Sequence, residues 1–175
     1  MKILLPVDGS AVSLEAVRFA IRLARSGLDA SVVLANVQEP STLYELVVAH
    51  DPNVIEQVSA AAGAHLLQQA EALLTEANIA FESEVASGDP AHTIIDIVER
   101  FACDMVVMGA SGTGALRSAF LGSVSNEVLN SAGVPVLIVK AAGESSEIPD
   151  DPLNDLPGDA SGASTNDSTG ASKGD

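Results

Sequence analysis

The stretch Met108 to Val128, MGASGTGALRSAFLGSVSNEV, gathers glycines and serines at a spacing that could hold an anion. Gly109 is followed after two residues by Gly112, and after nine more by Gly122, with Ser123 next in line. Glycine tolerates positive φ and lets a ligand come close to the backbone. Successive amide N–H groups in such a loop form an anion-binding nest. Gly122 and Ser123 also open an amphipathic stretch, so the free N–H groups and positive dipole end of a helix would face the same place. Ser123 and Ser125 offer hydroxyl donors. A polyphosphate suits this arrangement without a dedicated lysine. The competing reading is a plain connection in which the glycines serve as turns and Ser123 as an ordinary N-cap.

Other chemistries fail on spacing. Gly109 and Gly114 have Walker A separation, but Ala115 stands where a lysine is required. The first strand–helix turn carries only Gly9, so the dinucleotide fingerprint is missing. Thr113 follows GASG where a nucleophile elbow needs its last glycine. His50, His65 and His92 are scattered and show no cysteine or acid at ligand spacing, which predicts no metal site.

The glycine loop must be positioned by the elements around it. KILLPVD, 2–8, is a continuous apolar run, as expected of a strand covered on both faces. A helix over 10–27 follows, with Leu14, Val17, Ile21 and Ala24 on one face and Gly27 at its end. ASVVLANV, 30–37, reads as the second strand, and 53–77 as a long helix. AFESEVAS, 80–87, alternates like a half-exposed outer strand. Asp89 and Pro90 are the N-cap and first residue of a helix whose face is Ile94, Ile97, Val98 and Phe101. DMVVMG, 104–109, a helix from Ser123 to Ala132, and VPVLIVK, 134–140, complete the series. Five strands separated by four helices specify an α/β fold, a parallel sheet with helices on both faces. Ligands in such sheets sit beyond the carboxyl ends of the strands, where the strand order reverses. Unusual residues mark two such ends, PVDGS after the first strand and MGASG after the fourth.

Composition narrows the function. The 175 residues suit one domain, and 47% hydrophobic content suits a buried core. The formal net charge is −16, a field that opposes nucleic acid and anionic lipid. No apolar run approaches a membrane span, and the N-terminus reads as a strand rather than a signal peptide. A lone cysteine, Cys103, cannot form an internal disulfide, which points to the cytoplasm. It reads as a small buried hydrophobe. Residues 141–175 hold eight acids against one lysine and few apolar residues, the composition of a disordered acidic tail. Its IPDDPLNDLPG segment is alternatively a docking peptide. Pro135 fits VPVLIVK to an edge strand, and an apolar edge needs cover, which a second copy of the chain would supply.

These segments resemble the universal stress protein family in its ATP-binding branch. ILLPVDGS, SGDPAHTIIDIVERFACDMVVMG and GASGTGALRSAFLGSVSNEVLNSAGVPVLIVK carry the resemblance, and the Gly109, Gly112, Gly122, Ser123 spacing is that family's ATP-binding motif. The resemblance covers 1–140 and implies strand order 3-2-1-4-5, an adenine nucleotide alpha hydrolase-like fold. It implies that Asp8 lies in the nucleotide cleft, that the backbone of Val37 meets adenine with Met108 nearby, and that Gly109, Gly112, Gly122, Ser123, Val124 and Ser125 hold ribose and phosphates. It also implies a homodimer through the 134–140 strand. Asp8 has a second reading as a helix cap, Val37 and Met108 as core residues, and Arg117 as either a phosphate contact or a solvated charge. The family often has histidine where Asn36 and Ser111 stand and arginine where Thr113 stands; without that cation, Mg²⁺ must offset more phosphate charge. The function expected is an ATP-binding stress-response regulator, with ADP or AMP as other ligands and at most slow hydrolysis. The alternative is a dimeric interaction protein that binds no nucleotide.

Overall fold

Among the described residues, five strands and four helices follow one another: β1 Lys2–Pro6, α1 Ala11–Arg25, β2 Ser31–Gln38, α2 Pro52–Glu76, β3 Phe81–Ser87, α3 Pro90–Arg100, β4 Met105–Gly109, α4 Ser123–Ser131 and β5 Val136–Val139. The structure is a computed structural model and describes residues 1–39, 52–111 and 121–140. Gly112, Arg117 and the 141–175 tail therefore lie outside the described residues.

All strands run parallel in one sheet of order β3-β2-β1-β4-β5, as the resemblance implied. The apolar runs alternate between two layers. Ile3, Leu5, Val32, Leu34 and Val107 pack with Leu14, Val17 and Ile21 of α1 and Leu67 and Leu74 of α2. Leu4, Val33, Ala35, Val106 and Met108 pack on the opposite face with Ile94, Ile97 and Val98 of α3 and Val128 of α4. Ile3, Leu4 and Leu5 alternate between the two buried faces, which explains the unbroken apolar run after Lys2. Each such side chain contributes about 1.5–3 kcal/mol by leaving water. β3 and β5 are the edges, and their burial is accordingly partial.

Local chemistry sets the helix starts. Ser10 Oγ accepts from the Ser13 N–H at 3.1 Å, and Asp89 Oδ1 accepts from the His92 N–H at 3.0 Å, so α1 and α3 are capped by their own side chains. Pro90 opens α3 as expected. The first strand is shorter than its apolar run: it ends at Pro6, and Asp8 falls in the turn beyond it. β5 likewise spans four residues rather than the seven expected, because only Val136–Val139 pair with β4.

Candidate functional site

The sheet order reverses between β1 and β4, and a cleft of about 620 Å³ opens there at the carboxyl ends of the strands. Asp8, Val37, Met108, Gly109, Gly122, Ser123, Val124 and Ser125 all line it. Every described residue singled out in the sequence for this site is thus in one cavity.

Three helices begin at its rim. α1 contributes Ser13, α3 contributes Pro90 and Ile94, and α4 contributes its whole first turn. The caps distinguish them. α1 and α3 have side-chain caps, whereas α4 starts at Gly122 with no side-chain cap hydrogen bond. The Gly122 N–H donates to Ala110 O at 2.7 Å, and the Asn126 N–H closes the first turn on Gly122 O at 2.9 Å. The N–H groups of Ser123, Val124 and Ser125 have no partner among the described residues. They present the positive end of the α4 dipole to the cleft.

On the opposite wall, the parallel ladder determines which way the β2 backbone points. The Ser31 N–H bonds Met1 O, and the Val7 N–H bonds Ala35 O, so odd-numbered residues of β2 direct their backbone groups toward β1. Val37 continues that series, but β1 pairing ends at Pro6 against Ala35. The N–H and C=O of Val37 consequently face the cleft beyond the end of β1, as a donor and an acceptor side by side.

Several expectations change on contact with this geometry. The Ser125 hydroxyl donates to Gly109 O at 2.9 Å and is buried, so it ties α4 to β4 rather than standing ready as a phosphate donor. Ser123 is exposed and keeps its hydroxyl at the cleft. Gly109 is close to α1: a Cβ there would stand 2.9 Å from Val12 Cγ1, 3.1 Å from the Val12 carbonyl carbon and 3.2 Å from Ser13 N. Gly122 differs, since its added Cβ would meet only Ala110 O and Ser111 Cα at 3.4 Å and Ser125 Oγ at 3.8 Å. Its φ of −61° is open to any residue. Among the described residues, then, the fold demands glycine at Gly109 but not at Gly122. Asp8 does not cap α1 alone; its Oδ1 accepts from the Ser10 N–H at 3.0 Å while Ser10 is the cap. Met108 is only 5% exposed and belongs to the core and the cleft wall at once.

The sequence reading also left lining residues unassigned. Glu39, Pro90 and Ile94 line the cleft, as do Asn36 and Ser111, which the sequence marked only as positions where the family often has histidine. Asn36 had a visible signal, as a lone amide within the apolar run of β2. The histidine reading is corrected as well. His92 Nδ1 lies 2.9 Å from Asp89 Oδ1, and Nε2 lies 3.9 Å from Glu127 Oε1, because i,i+3 spacing and the packing of α3 on α4 bring the three together. These groups are exposed and lie outside the cleft lining.

The described lining of the cleft is negative. Asp8 and Glu39 are the only ionisable residues among its described lining, so phosphate would rely on the α4 N–H groups and on a cation. Nearby, hydrogen bonds from the His92 backbone N–H and then its ring hold the Asp89 carboxyl below its ordinary value of 3.8. Burial pushes the Cys103 thiol up from its ordinary value of 9.0.

The fold and cleft define a doubly wound α/β protein with an anion-ready helix terminus at its topological switch point. The universal stress protein family model matches residues 1–140, and the chain belongs to that family. Universal stress protein MJ0531 of Methanocaldococcus jannaschii is 34% identical over 139 residues, spanning 79% of this chain and 81% of that one. An Arabidopsis thaliana universal stress protein family protein solved with AMP bound superposes with a TM-score of 0.58 at 21% identity, over 87% of this chain and 99% of that one. A universal stress protein solved in complex with cAMP superposes with a TM-score of 0.57 at 22% identity, over 81% and 98%. At those identities the structural likeness carries the fold.

Proposed function

We propose that this chain binds an adenine nucleotide in the switch-point cleft and acts as a nucleotide-dependent regulator in the stress response. ATP is the ligand of first choice, with ADP and AMP as the other candidates. The observation that carries the reading is the opposition of two unpaired backbone features across one cavity: the uncapped first turn of α4 and the outward-facing N–H and C=O of Val37. The first suits phosphate and the second suits a base edge. The AMP and cAMP held by two structural neighbours support the adenine assignment.

In this reading Gly122, Ser123 and Val124 meet the phosphates, with Gly112 of the same motif. Ser125 holds that turn in position through Gly109 O. Met108 and Ile94 supply apolar wall to the base. Asp8 is a carboxylate at the cleft, and its oxygens suit Mg²⁺, a hard cation that would neutralise phosphate charge. Among the described lining residues there is no lysine or histidine to position water, so hydrolysis is slow or nil. The compartment is the reducing cytoplasm, in keeping with the free, buried Cys103.

Calorimetric titration with ATP, with and without Mg²⁺, and with AMP tests the reading. A Kd of about 1–100 μM is expected, lost when Gly122 is replaced by leucine. Absence of binding by protein stripped of nucleotide would overturn it.

A second reading is dimerisation through β5, with or without nucleotide. Among the described residues β5 pairs only with β4, and Leu129 of α4 is 45% exposed. Sedimentation equilibrium of the wild type and of Ile138→Lys tests it: a dimer that the lysine dissociates supports it, and a monomeric wild type removes it.

A further inference from the structure

The β1–β2 ladder stops one bond short of where its own geometry would take it. Bonds alternate up the pair as far as the Val7 N–H on Ala35 O, at 2.8 Å. The next bond in that series would run from the Val37 N–H to Val7 O. It is not formed. The Val7 carbonyl instead accepts the side-chain amide of Asn36, with Nδ2 at 2.7 Å. Asn36 is 2% exposed, and its Oδ1 accepts in turn from Gln38 Nε2 at 2.5 Å, so both ends of the amide are held. A buried amide with its donor and acceptor both engaged is costly to displace.

We propose that Asn36 is a positioning residue for base recognition: by taking the Val7 carbonyl, it keeps β1 from pairing further along β2 and leaves the Val37 N–H and C=O open to the ligand. This rests on the nucleotide reading above and adds a cause for the specificity of that site. An N–H donor beside a C=O acceptor complements adenine, whose ring N1 accepts and whose 6-amino group donates. Guanine has a donor at N1 and an acceptor at O6, so it would meet like with like. Discrimination of this kind is strong, because the mismatched site leaves desolvated polar groups unpaired.

The test replaces Asn36 with valine, which suits a buried strand and cannot donate to Val7 O. Hydrogen exchange of the Val37 amide is read in nucleotide-free protein, and AMP and GMP affinities are measured alongside. In the wild type the Val37 amide exchanges freely and is protected by AMP. In Asn36→Val it is expected to be protected at least about tenfold without ligand, as the ladder closes onto Val7 O. AMP affinity falls at least about tenfold, and the preference for AMP over GMP narrows. Asn36→Ala gives the same readouts should the valine protein misfold. Val37 exchange as fast in the variants as in the wild type, or unchanged AMP affinity, overturns the proposal. A wild type that binds neither nucleotide removes the nucleotide reading and base recognition with it, while Val37 exchange still decides whether Asn36 terminates the ladder.

Discussion

The Ser125 hydroxyl donates to the carbonyl oxygen of Gly109 at 2.9 Å, fastening the first turn of α4 to the last residue of β4. One buried hydrogen bond thus joins the two elements that flank the glycine loop. Removing it in Ser125→Ala leaves a carbonyl without that donor and is expected to cost about 1–2 kcal/mol. Thermal unfolding checks the loss. AMP titration of the same variant is expected to show weaker binding, since the N–H groups of the turn lose their anchor.

Gly109 and Gly122 belong to one motif but answer to different constraints, and alanine separates them. At Gly109 the added methyl meets the α1 backbone at Val12 and Ser13, which cannot yield without moving the helix. Gly109→Ala is expected to destabilise by about 1–3 kcal/mol. At Gly122 the same methyl makes ordinary contacts. Gly122→Ala should cost less than about 1 kcal/mol, the scale of an N-cap exchange. Denaturant midpoints read the difference. Equal losses at the two positions would show that the contrast in packing is wrong.

Asp89 links stability to pH. His92 holds its carboxyl below 3.8 in the fold, so the stability it contributes is present above that value and is lost as pH falls through the lowered folded pKa. Asn caps a helix as well as Asp does but does not titrate. The wild type and Asp89→Asn should therefore keep a constant stability difference near neutrality. Below about pH 4 the wild type loses ground. Urea unfolding at several pH values checks this, and parallel curves down to about pH 2 would refute it.

Cys103 should behave as a buried hydrophobe. The residue is 5% exposed and burial raises its pKa, so little thiolate exists at ordinary pH. An aromatic disulfide reagent at about pH 8 is expected to leave the native protein unmodified and to modify one thiol per chain in denaturant. Rapid labelling of the native protein would contradict its burial.

Much of the architecture was legible because it depends on local periodicity. Apolar runs such as KILLP and the Ile94, Ile97, Val98 stripe carry their own geometry, and Asp89–Pro90 announces the start of α3. The Gly109, Gly122, Ser123 spacing likewise pointed to the strand end where the cleft opens, because a strand–loop–helix connection brings its own ends together. What a side chain does across elements was not legible. The direction of the Ser125 hydroxyl depends on where α4 sits against β4. The need for glycine at Gly109 comes from α1, almost a hundred residues away in sequence. His92 gains Glu127 only through the packing of α3 on α4.

The same division holds for the cleft as a whole. Alternation of apolar strands and amphipathic helices, read along the chain, determined a parallel α/β sheet and marked the ends of β1 and β4 as unusual. That alternation costs little to decode, since hydrophobic burial acts on every strand and helix independently. Only the tertiary structure decided that β1 stops at Pro6, that Asn36 takes the next carbonyl, and that Val37 is left facing the first turn of α4. Those are outcomes of competition between hydrogen-bond partners brought together from distant parts of the chain, and no local pattern records which partner wins.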